Sequence, residues 1–271
     1  MHPLLTIAVK AARRAGHIIV RHLDRLDRID VQTKSRNDFV SDVDRFAEDE
    51  ILQVIRATYP DHSILAEESG RQRGTEDYEW IIDPLDGTTN FLHGHPQFSV
   101  SIAVRHRDHI EHGVVFDPLR NELFTASRGS GAHLNERRIR VSRVHRLRDA
   151  LLGTGFPFKT LQHLDAWMAT FQSLLTRSSG IRRAGSAALD LAYVATGRFD
   201  GFWEMDLREW DLAAGCLLVE EAGGLVGDLN GGQEHLASGH ILAANAALFG
   251  DMLEIIRARI ESQARHTRGE T

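Results

Sequence analysis

Residues Trp80–Phe91 read WIIDPLDGTTNF. Trp80, Ile81 and Ile82 open a buried strand. Asp83 and Asp86 then stand three apart around Pro84, and Gly87, Thr88 and Thr89 follow at once. An apolar strand that ends in two carboxylates and two hydroxyls puts polar groups where α/β folds carry function. Taken alone, Asp83 and Asp86 would simply cap the helical turn that Gly87 begins.

The flanking sequence supplies the rest of a layered fold. Leu4, Ile7, Ala8, Ala11 and Ala12 recur at helical spacing and predict an amphipathic first helix. Val43, Phe46, Ala47, Ile51, Val54 and Ile55 form one stripe of a second helix that Pro60 stops. HSILAEES predicts a short strand ahead of the quoted one. FSVSIAVR, IEHGVVFDP, NELFTASR and RIRVS predict an antiparallel meander from Phe98 to about Ser142. After Ala150 helices and strands alternate: LLGTG, FDGFWEM, LVGDL and HILAAN are strand-like, whereas HLDAWMATFQSLLTR, AALDLAYVATG, DLAAGCLLVEEAGG and ALFGDMLEIIRARIESQ are helical. This order implies layered α/β architecture. The expectation is one unit over 1–271, with a soft subdivision near 150 that no linker marks.

Composition narrows the class. The 271 residues are 42% hydrophobic and 26% charged, ordinary for a globular protein. A net charge of -6 gives no reason to expect bulk nucleic-acid or membrane affinity. No apolar run approaches the roughly 18 residues of a membrane helix, so a cytoplasmic protein is expected. Cys216 is the only cysteine, which excludes an intramolecular disulfide and Cys-based zinc sites; it reads as a small buried helix residue. His106, His109 and His112 fall where a turn joins two strands and read as solvated.

Three acidic clusters stand at the edges of apolar segments: Glu67 and Glu68 after SILA, Asp83 and Asp86 after WII, and Asp211 where REWDLAAG begins a helix. Each alone has a bland explanation, Asp211 as a residue favoured by the helix macrodipole. Brought together, they would repel one another and raise their pKa values unless cations were bound. Oxygen ligands without His or Cys select magnesium or manganese over zinc. Such an ion takes phosphate oxygens as further ligands, and Gly87 and Thr88 then offer amides and a hydroxyl to the anion.

WIIDPLDGTTNF, together with WDLAAG and EES, resembles the inositol monophosphatases, magnesium-dependent and lithium-sensitive phosphatases. The resemblance runs from KSRNDFVSDVD to GGLVGDLNGG. It implies an αβαβα layered sandwich shared with fructose-1,6-bisphosphatase, a homodimer, and two to three Mg2+ ions. By the same resemblance, Glu67, Asp83 and the Leu85 carbonyl bind a first ion. Asp83, Asp86 and Asp211 bind a second, and Glu67 shares a third, weaker one. Thr88 with Glu67 orients the attacking water, Asp44 polarises Thr88, and the Gly87 and Thr88 amides hold the phosphate. Asp211, Glu204, Gly185, Ser186 and Ala187 face a small phosphorylated polyol substrate. Ser186 stands where the family often has threonine. Lys34 matches a lysine on a loop that closes over the site. Bacterial members of similar sequence imply a second role in ribosomal RNA transcription antitermination, through RNA polymerase and Nus factors. The competing expectations are a phosphatase for bisphosphate nucleotides or fructose 1,6-bisphosphate, and a non-catalytic polymerase-binding protein.

Overall fold

The computed structural model describes residues 2–23, 26, 31–35, 38–157 and 161–268. Its helices are α1 (Pro3–Leu23), α2 (Asp42–Arg56), α3 (Thr88–Leu92), α4 (Leu164–Leu175), α5 (Ala187–Ala195), α6 (Glu209–Glu221), α7 (His235–Ser238) and α8 (Ala246–Arg268). A hairpin of β1 (Val31–Ser35) and β2 (Asp38–Ser41) precedes α2. The larger sheet contains β3 (Ser63–Ala66), β4 (Gly70–Gln72), β5 (Tyr78–Asp86), β6 (Ser99–His106), β7 (His109–Asp117), β8 (Glu122–Ser127), β9 (Gly131–Leu134) and β10 (Arg137–Arg138). Its order is β10-β9-β8-β7-β6-β5-β3-β4, antiparallel except where β3 runs parallel to β5. The smaller sheet contains β11 (Leu151–Thr154), β12 (Gly180–Arg182), β13 (Gly201–Glu204), β14 (Gly224–Gly227) and β15 (Ile241–Asn245), in the order β12-β11-β13-β15-β14.

Period-two alternation divides the first sheet between two cores. Ile64, Trp80, Ile82, Val100, Ile102, Val104, Val114 and Phe116 face α1 and α2. Leu65, Ile81, Ala103, Val115 and Phe124 face α5 and α6. The second sheet does the same: Phe202 and Ala243 share the middle core, and Trp203 and Leu242 pack with α4 and α8. The layers are therefore α1/α2, large sheet, α5/α6, small sheet, α4/α8, the expected αβαβα sandwich.

The middle layer sits close because its contact residues are small. A side-chain carbon on Gly113 of β7 would lie 2.9 Å from the Ala214 carbonyl oxygen of α6, and one on Gly215 would lie 2.6 Å from Leu191 of α5. α6 is thereby seated on the large sheet and α5 against α6. Cys216 lies buried in this layer, as expected.

Several local expectations change. Phe46, read into the buried stripe of α2, is half-exposed and its ring lies 6.2 Å from that of His22. RIRVS is not a full strand: β10 ends at Arg138, the Ile139 amide still donates to Ala132 of β9, and the Val141 amide donates to Ala222 instead. His112 is not solvated. It is buried in β7, stacks on His2 at 4.4 Å and bonds Ser127, and burial lowers its pKa to about 4. Among the described residues no helix is long and apolar enough to cross a membrane.

Candidate active site

The quoted stretch owes its chemistry to a bulge. Asp83 pairs with Ser101 of β6 and Asp86 with Ser99, so β5 takes three steps where β6 takes two. Residues three apart on a regular strand point to opposite faces. The extra residue turns Asp86 to the same side as Asp83, while Leu85 packs into the core under α1 and α2. Proline is tolerated there because a bulge has a position that needs no amide donor. The Leu85 amide donates to Asp83 Oδ1 at 2.9 Å and locks the corner.

The parallel pair brings in Glu67. Ala66 and Ile82 are partners at the ends of β3 and β5, and the Glu67 amide donates to the Ile82 carbonyl at 3.1 Å. Glu67 and Asp83 thus leave neighbouring strands at their carboxyl ends, where ligands bind in α/β sheets. Glu48 of α2, buried one helical turn after Asp44, shapes the turn that follows. It accepts the amides of Glu68 at 2.9 Å and Ser69 at 2.8 Å.

Two helices complete the cluster. Asp86 Oδ2 accepts the Ser186 hydroxyl at 2.6 Å and the Ala188 amide at 2.8 Å, both at the start of α5. Asp211, in the first turn of α6, accepts the Arg208 amide at 2.7 Å. One carboxylate oxygen each from Asp83, Asp86 and Asp211 lies within 4.8 Å of the others. Burial, then Glu67, Asp86 and Asp211, drive the Asp83 carboxyl well above the usual range. Burial and Asp211 raise Asp86 to about 7. The N-termini of α5 and α6 offset part of this repulsion.

Next to the carboxylates, the Thr88 hydroxyl lies 2.9 Å from Asp44 Oδ1 and 3.0 Å from the Leu85 carbonyl. Asp44 caps α2 at the same time, accepting the Ser41 amide at 2.7 Å and the Ser41 hydroxyl at 2.5 Å. Its burial raises it to about 6. Gly87 has a φ of 93°, and a side-chain carbon on it would meet the Gln97 carbonyl at 2.8 Å, so the turn into α3 requires glycine.

Asn90 was not anticipated. Its side-chain amide donates to the carbonyls of Gln97 at 2.7 Å and Ala184 at 2.9 Å, clamping the loop with Gly185 onto α3. The role of Gly155 is not visible in the sequence either. A side-chain carbon there would fall 1.8 Å from Glu204 Oε1, so the glycine clears the space that the Glu204 carboxylate occupies. Ser186 and Ala187 both lie against Asp86, Ser186 with its hydroxyl committed to that carboxylate. Lys34 falls on β1, and its side chain is outside the described residues.

The inositol monophosphatase family model matches residues 1–262. This chain belongs to that family. Pseudomonas aeruginosa has a relative named Nus factor SuhB, 54% identical over 96% of this chain and 98% of that protein. The crystal structure of the extragenic suppressor protein SuhB from Bartonella henselae superposes with a TM-score of 0.92 at 43% identity, covering 94% of this chain and 98% of that one. An IMPase from Thermotoga maritima reaches 0.88 at 36%, covering 96% and 99%. In this inositol monophosphatase family member the acidic cluster supplies oxygen donors alone, mutually repelling, with Asp83 and Asp86 buried and Asp211 partly exposed. That donor set fits hard divalent ions such as magnesium or manganese.

Proposed function

We propose that the protein is a cytoplasmic, homodimeric, Mg2+-dependent and lithium-sensitive phosphatase that hydrolyses inositol 1-phosphate and similar small monoesters. The observation that carries this reading is the convergence of Asp83, Asp86 and Asp211 beside the Thr88–Asp44 pair. Glu67, Asp83 and the Leu85 carbonyl would hold one ion, Asp83, Asp86 and Asp211 a second, and Glu67 would share a third. Bound magnesium supplies Lewis-acid activation of water and charge neutralisation at the leaving oxygen.

The chain's own residues do the rest. Asp44 accepts from Thr88, which leaves the threonine oxygen a lone pair for the proton of an attacking water. Glu67 shares the task of orienting that water. The Gly87 and Thr88 amides hold phosphate oxygens at the start of α3. Glu204 and Asp211 accept hydrogen bonds from polyol hydroxyls, with Gly185 lining the same side. Ser186 and Ala187 act through Asp86, whose carboxylate they fix.

Phosphate release from inositol 1-phosphate, with magnesium and with or without lithium, tests this in wild type and Asp83→Asn. Magnesium-dependent turnover that lithium suppresses and the variant lacks is the expected result. Inert inositol phosphates alongside rapid hydrolysis of fructose 1,6-bisphosphate or a bisphosphate nucleotide would move the substrate assignment within the fold.

A second role is favoured by the 54% identity to a relative named as a Nus factor. We infer that the protein also joins the transcription machinery through RNA polymerase and Nus factors, using its surface. Co-purification of RNA polymerase with the tagged protein tests it, and failure to retain polymerase would remove the reading.

A further inference from the structure

We propose that His163, Asp206 and His240 form a second metal site, suited to a borderline transition ion such as zinc. A ring nitrogen from each histidine and a carboxylate oxygen lie within 4.8 Å of one another. Zinc bonds of about 2.0–2.2 Å at tetrahedral angles place neighbouring ligand atoms ~3.3–3.6 Å apart. His163 Nε2 and Asp206 Oδ1 already stand at 3.4 Å. The two imidazole rings meet edge to face with centroids 5.0 Å apart. Small side-chain rotations therefore suffice to close the set.

The fold preorganises these groups from three separate elements. His163 is the N-cap of α4. Asp206 lies in the connection from β13 to α6, in the left-handed region at φ 64°. His240 enters β15. The latter two stretches lie back to back: the Leu207 amide donates to the Gly239 carbonyl at 3.0 Å, and a side-chain carbon on Gly239 would meet the Leu207 carbonyl at 2.1 Å. The Asp206 amide donates to His240 Nδ1 at 3.3 Å, a long bond on that ring's single lone pair that His240 gives up when it ligates the ion. All three residues are partly exposed, so an ion from solvent reaches them.

The donor chemistry separates this site from the carboxylate cluster. Two imidazoles and one carboxylate favour zinc, nickel or copper, whereas an all-oxygen set favours magnesium. A bound ion would tie the start of α4 to the connection between Glu204 and Asp211. Its influence on turnover rests on the phosphatase reading; the binding itself does not.

The test is calorimetric titration of tag-free protein with zinc in saturating magnesium, with thermal melts alongside. Wild type should take up a zinc equivalent that magnesium does not displace and should melt higher in its presence. His163→Ala, His240→Gln and the near-isosteric Asp206→Asn should each lose that equivalent and the melting shift, while Asp83→Asn keeps both. Circular dichroism confirms that the variants are folded. Absence of such an equivalent in wild type, or uptake undiminished in the histidine variants, overturns the proposal. So does uptake that disappears in Asp83→Asn, which would place the zinc in the carboxylate cluster.

Discussion

Asp83 is fully buried among Glu67, Asp86 and Asp211, so the charge that suits it to bind a cation also opposes folding. Removing that charge should separate the two effects. Asp83→Asn is expected to lower magnesium-dependent turnover by more than the ~10–100-fold typical of residues one contact away from a metal, while raising the melting temperature of the metal-free protein. Kinetics and thermal melts on one preparation check both, and near-normal turnover would refute the assignment. The pH dependence has the same origin. Asp86 is raised to about 7, so over the interval from the ordinary carboxylate range up to that value the folded state holds more protons than the unfolded one. Stability of the metal-free protein is thus greatest at the acid end of the interval and falls as pH rises through it. Melts without metal should drop between about pH 5 and about pH 8, and magnesium should restore more stability at the upper end. An unchanging melting temperature, or one that rises with pH, would contradict this.

At the scale of elements, a few glycines decide where charged groups can sit. Gly155, just beyond β11, makes room for Glu204 at the end of β13. Gly155→Ala should displace that carboxylate, raising KM for inositol 1-phosphate several-fold while magnesium dependence stays unchanged. A parallel loss of magnesium affinity would mean that Glu204 is not confined to substrate contacts. The Asp83–Asp86 corner was legible in sequence because its whole chemistry lies in twelve consecutive residues of known periodicity. The bulge that turns both carboxylates to one face was not, since it is a relation between β5 and β6. The Ser186–Asp86 bond, which spans 100 positions, and the clearance at Gly155 were hidden for the same reason. Helices and long strands declared themselves through period. The hairpin and the short strands β4, β9 and β12 are too brief to show alternation and are fixed by their neighbours instead.

At the scale of the whole molecule, the acidic cluster forms where the large sheet meets the N-termini of α5 and α6, with Asp83 and Asp86 buried and Glu67 and Asp211 partly exposed. The proposed binding of RNA polymerase would use an outer surface instead, such as the exposed side of α4 with Leu161, Met168 and Leu175 near it. The two proposed roles would therefore draw on different parts of one fold. A substitution that neutralises a buried carboxylate changes no outer side chain, so Asp83→Asn should abolish phosphate release and still co-purify with RNA polymerase at the wild-type level. Loss of both activities in a variant that melts as high as wild type would mean that metal binding reshapes the outer surface. The two roles would then be coupled through the ion and not merely housed in one fold.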